Sequence, residues 1–504
     1  MVWGERRYPL GIMMDSTAMR VRSGVVVLCL LVASGVGGVG QAAGQQQDEN
    51  EGYEAIRARE LPGLLVRLAE HAEWCKKKKL WLQRALAYEA ILGFAPEDEV
   101  AHRGLGHKKV RDGSWAASKK ARPIDRSKTD LAEALLRRVE VSGPFVDALQ
   151  GLLEEHAQEL LPQVRVRVFA DILSADPDHA WTRRERYEVK HEGQWVMLEI
   201  ANTATGRAEM VALEETTREE LEPAPSVDFT TLEESLGLSL TAALAKGGVR
   251  VVGTVEESEL KECVDHLRVV RTLFREHVGK RGTYSDDFTY FLLKNPSEQA
   301  VFLANHPKVT DADRSFFQGL ESATITGARH FGSWSDEAER RLDSSCRQAI
   351  SNLLYHGHKI TAEEGWAFEG VGLYFTHVVV GSHLTWFVSQ SRYMSAGDDA
   401  MFRMKLSDRD VDWLDEARAL LEEGELPKFH TVVGREVNRL STEDLLICNA
   451  AVAMLVEGRP GALPAILKLL GKGRSAHEAF LAELNLDLLQ FDERLRTWLV
   501  ETAD

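Results

Sequence analysis

The sequence predicts an α+β protein that is mostly helical, with helical-hairpin repeats and small β-hairpins first, then a small sheet plus helices and a helical C-terminal subdomain. Three observations carry this. A Pro/Trp pattern recurs in the first 200 residues, at an offset of 81 for its prolines and 80 for its tryptophans. Leu260, Val264, Leu267, Val270, Phe274 and Val278 recur at three- and four-residue steps, the apolar stripe of one long helix, with Gly279 at the position of a C-terminal cap. Strand-like runs, Val249–Val255 and Phe288–Leu293, flank that helix.

The N-terminus reads as a secretory signal peptide over 1–43. Arg20 and Arg22 precede an apolar run from Gly24 to Val39, small residues follow to Ala43, and the chain turns polar at Gly44. Four glycines within that run make it a poor membrane span, and no second span follows. The expected location is therefore outside the cytoplasm: periplasm, cell envelope or extracellular space. A formal net charge of −17 disfavours nucleic acid and anionic membranes as partners, and the Lys76–Lys79 run reads as a solvated helix face. Cys75, Cys263, Cys346 and Cys448 are widely spaced with no C-x-x-C, so buried free thiols are expected, although an exported location also allows a disulfide.

Residues 44–222 form the repeat region, with related units at about 80–116 and 161–197. Ile91–Asp98 returns as Ile172–His179, and Asp112-Gly113-Ser114-Trp115 as Glu192-Gly193-Gln194-Trp195. Each unit reads as an amphipathic helix, a Pro-acidic start of a second short helix with the proline at its first position, and a strand turning through a glycine that needs positive φ. The units resemble tetratricopeptide-like helical pairs, without the roughly 34-residue period or full signature of that repeat. Such units stack to bury a core and present a binding face. The charged, proline-containing stretch Thr216–Pro225 marks the expected domain boundary, with the second domain at 225–504.

In that second domain a short helix is expected near Ser297–Asn305, an edge strand at Ala323–Ala328, and helices over Asp408–Glu423, Thr442–Glu457, Ala462–Leu470 and Phe491–Thr502. Two segments between them carry the chemistry. Arg347-Gln348-Ala349-Ile350-Ser351 reads as part of a helix. Seventeen residues separate Ser351 from Glu369, which lies in Trp366-Ala367-Phe368-Glu369-Gly370-Val371-Gly372-Leu373-Tyr374-Phe375, with the turn between them placed at Tyr355–His358.

The pair resembles the active-site helices of a gluzincin (thermolysin-like, peptidase MA-like) zinc peptidase. In that family H-E-x-x-H sets two imidazoles at i and i+4 on one helical face to bind Zn²⁺, the Glu between them activates water, and a Glu on the next helix is the third ligand. Glu369 matches that third ligand; Arg347, Gln348 and Ser351 stand where the other groups belong. Arg347 cannot deprotonate and repels a metal, Gln348 has the shape of Glu without its basicity, and Ser351 is a poor zinc ligand. The resemblance implies a degenerate cleft lined by Arg347, Gln348, Ser351, Trp366, Glu369, Gly370 and Tyr374, with Arg347 paired to Glu369 in place of the metal. It implies no catalytic residue, no cofactor, and a protein or peptide partner bound through the cleft and the helical repeats.

The alternative is a working zinc peptidase with displaced ligands, His356, His358 and Glu369. His330, His377, His383 and His430 read as surface or core histidines. The chain has no glycine-rich phosphate loop, G-x-S-x-G elbow or zinc-finger spacing.

Overall fold

The computed structural model describes residues 52–111, 113–117, 125, 128–156, 160, 162–279, 287–318, 320–384 and 398–502. The expected signal peptide lies outside them. The protein is mostly helical with small sheets, and it divides into two compact units between Trp195 and Val196.

In the N-terminal unit, helix α1 (52–77) is followed by α2 (Trp81–Phe94), α3 (Glu99–Gly104) and the strand pair β1 (Lys108–Lys109) and β2 (Trp115–Ala116). After α4 (Lys128–His156) the same order returns as α5 (Pro162–Ala175), α6 (Ala180–Glu185), β3 (Glu188–His191) and β4 (Gln194–Met197). The helices bury one core, in which Leu68, Tyr88, Ile91, Phe145, Leu149, Val168 and Ile172 meet. Corresponding residues do corresponding work. His102 Nε2 donates to the Pro96 carbonyl at 2.7 Å, and Arg183 Nε, 81 residues on, donates to the Pro177 carbonyl at 2.9 Å. His102 bonds His107 ring to ring where Arg183 pairs with Glu188. Lys109 lies over Trp115 and Lys190 over Trp195.

Gly113 and Gly193 take the positive φ expected of them, +89° and +85°. The prolines do not open their helices: Asp98 is the N-cap of α3 and His179 that of α6, so Pro96 and Pro177 sit in the preceding turn.

The C-terminal unit begins with α7 (Leu198–Glu219), which the sequence reading places in the repeat region. Its partners explain the difference. Glu199 is buried against Arg459 at 2.8 Å and against Arg494, Trp498 Nε1 donates to Thr203 Oγ1 at 2.7 Å, and Asn202 donates to the Gly458 carbonyl at 3.2 Å. Charge and proline content locate the loop after α7, but the change of core lies before it.

Next come α8 (Thr231–Ser235), β5 (Ala242–Lys246), β6 (Val249–Gly253), α9 (Glu257–Val278), β7 (Thr289–Leu293), α10 (Pro296–Asn305), α11 (Asp311–Phe317), β8 (Ser322–Ile325) and β9 (His330–Trp334). The strands form one sheet in the order β5-β6-β7-β9-β8; β6, β7 and β9 are parallel, and an antiparallel strand closes each edge. Alternate side chains fill two cores. Val251, Tyr290 and Leu292 face α9 and the helices beyond it, while Val252, Phe291 and Leu293 face α10 and α11. The edge strand ends at Ile325, with Thr326–Ala328 in a 3-10 turn.

Helix α12 (Ala338–Asn352) does not end at the expected turn. It continues as a π-helical segment, Leu353–His358, and stops at Lys359, which has φ +60°. The chain returns in α13 (Gly365–Val380). The remaining helices are α14 (Asp398–Leu406), α15 (Trp413–Glu423), α16 (Phe429–Val432), α17 (Thr442–Ala453), α18 (Ala462–Leu470), α19 (Ala476–Leu484) and α20 (Leu488–Glu501). Cys75, Cys263, Cys346 and Cys448 are buried free thiols.

A Cβ on Gly206 of α7 would lie 2.1 Å from the Glu457 carbonyl oxygen. Gly206→Ala is therefore expected to cost the C-terminal unit about 1–3 kcal/mol through overpacking. Urea unfolding followed by hydrogen exchange, resolved by peptide, checks this: protection should fall in α17 and α20 and stay unchanged in α2 and α5.

Candidate functional site

Helix α12 is rich in polar residues, yet every residue from Arg341 to Asn352 is buried. Burial on that scale requires partners for its polar groups. Arg341 makes two bonds to Glu259, at 2.6 and 2.7 Å. The Ser345 and Ser351 hydroxyls donate back along the helix, to the Arg341 carbonyl at 2.8 Å and the Arg347 carbonyl at 2.9 Å. Asp343 accepts from Ser382 Oγ at 3.2 Å and from the Leu384 backbone N–H at 3.1 Å, beyond the end of α13.

Arg347 lies one turn after Asp343. One guanidinium nitrogen, Nη2, donates to Glu369 Oε2 and the other, Nη1, to the Glu369 carbonyl at 3.0 Å. Both side chains are at most 1% exposed, so the ion pair is withdrawn from water. α13 accommodates the guanidinium because Gly372 has no side chain: a Cβ there would lie 2.0 Å from Arg347 Nη1. Gln348 Oε1 accepts from Thr324 Oγ1 of β8 at 3.0 Å, and Gln348 Nε2 donates to Asn352 Oδ1. Asp343 opposite Ser382 and Arg347 opposite Glu369 make α12 and α13 antiparallel, and Thr324 ties β8 to α12.

Arg347, Gln348, Ser351 and Glu369 thus come together as the sequence places them. They line no open cleft, being at most 3% exposed. Trp366, Gly370 and Tyr374 are expected in the same cleft and are elsewhere. They fall at i, i+4 and i+8, a stripe centred about 100° round the helix from Glu369, with Trp366 nearest at about 60° and Tyr374 farthest at about 140°. Trp366 packs edge-on against Phe429 and Phe480. Gly370 lets the Cys448 backbone of α17 approach; a Cβ there would be 2.6 Å from its carbonyl. The Tyr374 hydroxyl donates to Glu457 at 3.2 Å, and burial beside that carboxyl holds the phenol well above its ordinary range.

Asp343, Gly372 and Thr324 complete the centre and are not among the residues expected to line it. Gly372 belongs to the Trp366–Phe375 segment and Thr324 to the expected edge strand, while Asp343, one helical turn before Arg347, escapes the sequence reading.

The alternative metal set does not assemble. His356 packs against Phe288 and Tyr355, His358 Nε2 donates to the Gly279 carbonyl at 3.1 Å, and the Glu369 carboxylate is held by Arg347. Among the described residues no three His, Cys, Asp or Glu side chains converge as a metal-binding set. The residues at the centre do not fit zinc: Arg347 is a cation bonded to the one carboxylate, and neither Gln348 nor Ser351 offers an imidazole, thiolate or carboxylate donor.

Nearby, His383 is sandwiched between His377 and Trp413, with ring centroids 4.2 Å from each. Burial, then His377 and Arg347, holds it neutral far below the ordinary histidine range. Cys346, adjacent to Arg347, is a structural thiol whose ionisation burial pushes well up. No protein-family model matches the chain, and comparison with curated proteins finds no match.

Removing one member of a buried ion pair strands the other. Arg347→Ala is expected to cost about 3–5 kcal/mol in urea unfolding, whereas Arg347→Met with Glu369→Met should recover most of that loss. Gly372→Ala, which displaces the guanidinium without removing it, should cost about 1–3 kcal/mol. A double variant as unstable as Arg347→Ala would show that the pair does not govern the cost.

Proposed function

We propose that this chain is an exported, non-catalytic relative of the gluzincin peptidases, a pseudopeptidase that acts by binding a protein or peptide partner. The observation that carries the reading is the bonding of Arg347 to both the carboxylate and the carbonyl of Glu369. Hydrolysis in such a fold needs an electrophilic metal, a carboxylate that takes a proton from water, and an open coordination position. Here a fixed guanidinium supplies the positive charge, Gln348 takes no proton, and the Glu369 oxygens face an arginine instead of a metal. The order of sheet, edge strand, paired helices and helical C-terminal region supports the same reading.

We place the binding role on surfaces around the centre and on the helical N-terminal unit, because Arg347 and Glu369 are buried and a partner does not reach them. The two related segments of that unit, with their exposed lysines over Trp115 and Trp195, suit a stacked-repeat scaffold.

Metal analysis of the purified chain, with a peptide-hydrolysis assay run with and without chelator, tests the reading. The expected result is no stoichiometric zinc and no chelator-sensitive cleavage. Stoichiometric zinc with cleavage abolished by Glu369→Gln would overturn it. Affinity capture from the native cell envelope with the full chain as bait should return a protein or peptide bound at stoichiometric level; failure to retain any binder removes the partner-binding role.

A further inference from the structure

The β8–β9 hairpin meets α12 through the Thr324–Gln348 bond, and two histidines fasten its turn end. Ile325, the last residue of β8, pairs with His330, the first of β9. His330 Nδ1 lies 2.9 Å from Nε2 of His306, which follows α10.

The proton positions follow from one neighbour. The Lys308 backbone N–H donates to His306 Nδ1 at 3.2 Å, so that nitrogen carries a lone pair. His306 Nε2 therefore carries the proton and donates it to His330 Nδ1, and the neutral His330 holds its own proton on Nε2. Both lone pairs are in use. A further proton on His330 Nδ1 sets N–H against N–H between the two rings, whereas one on His306 Nδ1 keeps that bond, displaces the Lys308 N–H and places a charge on a buried ring.

The charges nearest the rings are paired with one another. The rings pack against Phe302 and Phe291, with centroids 5.5 Å and 5.3 Å away. Glu233 of α8 and Arg250 of β6 act on His330 in opposite senses and are bonded to each other at 2.6 Å. Arg329, beside His330, pairs with Asp287 at 2.7 Å. On α11, Asp311 pairs with Arg314 at 2.8 Å and Asp313 caps its own helix. Among the described residues no carboxylate hydrogen-bonds to either ring.

We propose that His306 and His330 form an acid-released latch: uptake of a proton frees the β8–β9 edge of the sheet and with it the Thr324–Gln348 bond to α12. The latch rests on its own geometry; only the consequence for a bound partner rests on the pseudopeptidase reading. Burial, then His330, lowers His306 from 6.5 to about 4, and burial lowers His330 as well. A histidine depressed in the closed state binds its proton more readily once released. Its contribution to closure is thus full above about pH 6.5 and is lost as pH falls from there towards about 4.

Hydrogen exchange on the full chain at pH 7.5 and 5.0, corrected for intrinsic exchange rates, tests the latch. Protection of residues 322–334 should fall on the order of tenfold or more at pH 5.0, while residues 263–278 of α9 change less than about twofold. His306→Gln with His330→Gln, an amide pair that does not titrate, should remove the drop. Equal protection of 322–334 at both pH values, a parallel loss in α9, or an unchanged drop in the double variant overturns the latch. The wild-type comparison decides by itself, so a variant that fails to fold leaves the test intact. Zinc content and hydrolysis report on the pseudopeptidase reading independently.

Discussion

A polar helix is admitted to a protein interior only where its donors and acceptors meet partners, and α12 imposes that condition on everything packed around it. Arg341 needs Glu259 from α9, Asp343 needs Ser382 and the Leu384 N–H, Arg347 needs Glu369 and Gln348 needs Thr324. Those demands fix α9 on one side, α13 on another and the edge strand on a third. Apolar contacts supply most of the driving force, as the long list of buried Val, Leu, Ile and Phe around the helix makes plain. They are not directional, however, and would tolerate rotation of α13. The Arg347–Glu369 pair would not, because a guanidinium bonded to both a carboxylate and the carbonyl of one residue has a single fit.

Much of the C-terminal unit is legible in its sequence because its periodicities are clean. The stripe from Leu260 to Val278 is α9, and Val249–Val255 and Phe288–Leu293 contain β6 and β7. β9 is not legible: His330-Phe331-Gly332-Ser333-Trp334 has little β-branched character, and its glycine serves to bring the strand against the Phe302 ring. α7 is legible as a helix but not as part of its unit, since no local signal announces that Glu199 is to meet Arg459 and Arg494 from far along the chain. At the centre, the pairing of Arg347 with Glu369 is legible only through the resemblance of their two segments to a pair of peptidase helices. Linear proximity to Glu369 then misleads for Trp366, Gly370 and Tyr374, because a helix turns neighbours in sequence onto different faces.

The N-terminal unit shows one geometry kept while its chemistry changes. A ring-to-ring bond between His102 and His107 occupies the place of the Arg183–Glu188 ion pair, and the residue leading each pair donates to the carbonyl of the proline preceding its short helix. A comparison of residue types hides the correspondence, since histidine and arginine differ in size and charge. What the two share is an N–H directed at that carbonyl and a second nitrogen free to reach the residue five positions on. The prolines and tryptophans make the repeat visible because their roles depend on ring shape, which few other residues supply.

The presence of charge at a centre withdrawn from water follows from the same reasoning. Replacing a buried ion pair by well-packed apolar residues is often neutral or favourable, so Arg347 and Glu369 are not explained by stability. Nor is Glu369 kept for acid–base chemistry, since its carboxylate is held by a guanidinium and faces no water. The remaining explanation is geometric. Glu369 lies on the face of α13 that meets α12, Gly372 leaves room for a planar cation one turn further on, and Gln348 ties the same turn of α12 to the edge strand. An apolar pair would fill the volume but would specify neither the rotation of α13 nor the position of β8. In this fold a charged pair, once enclosed, serves as the register mark between two helices, and the hydroxyl of Thr324 extends that register to the sheet.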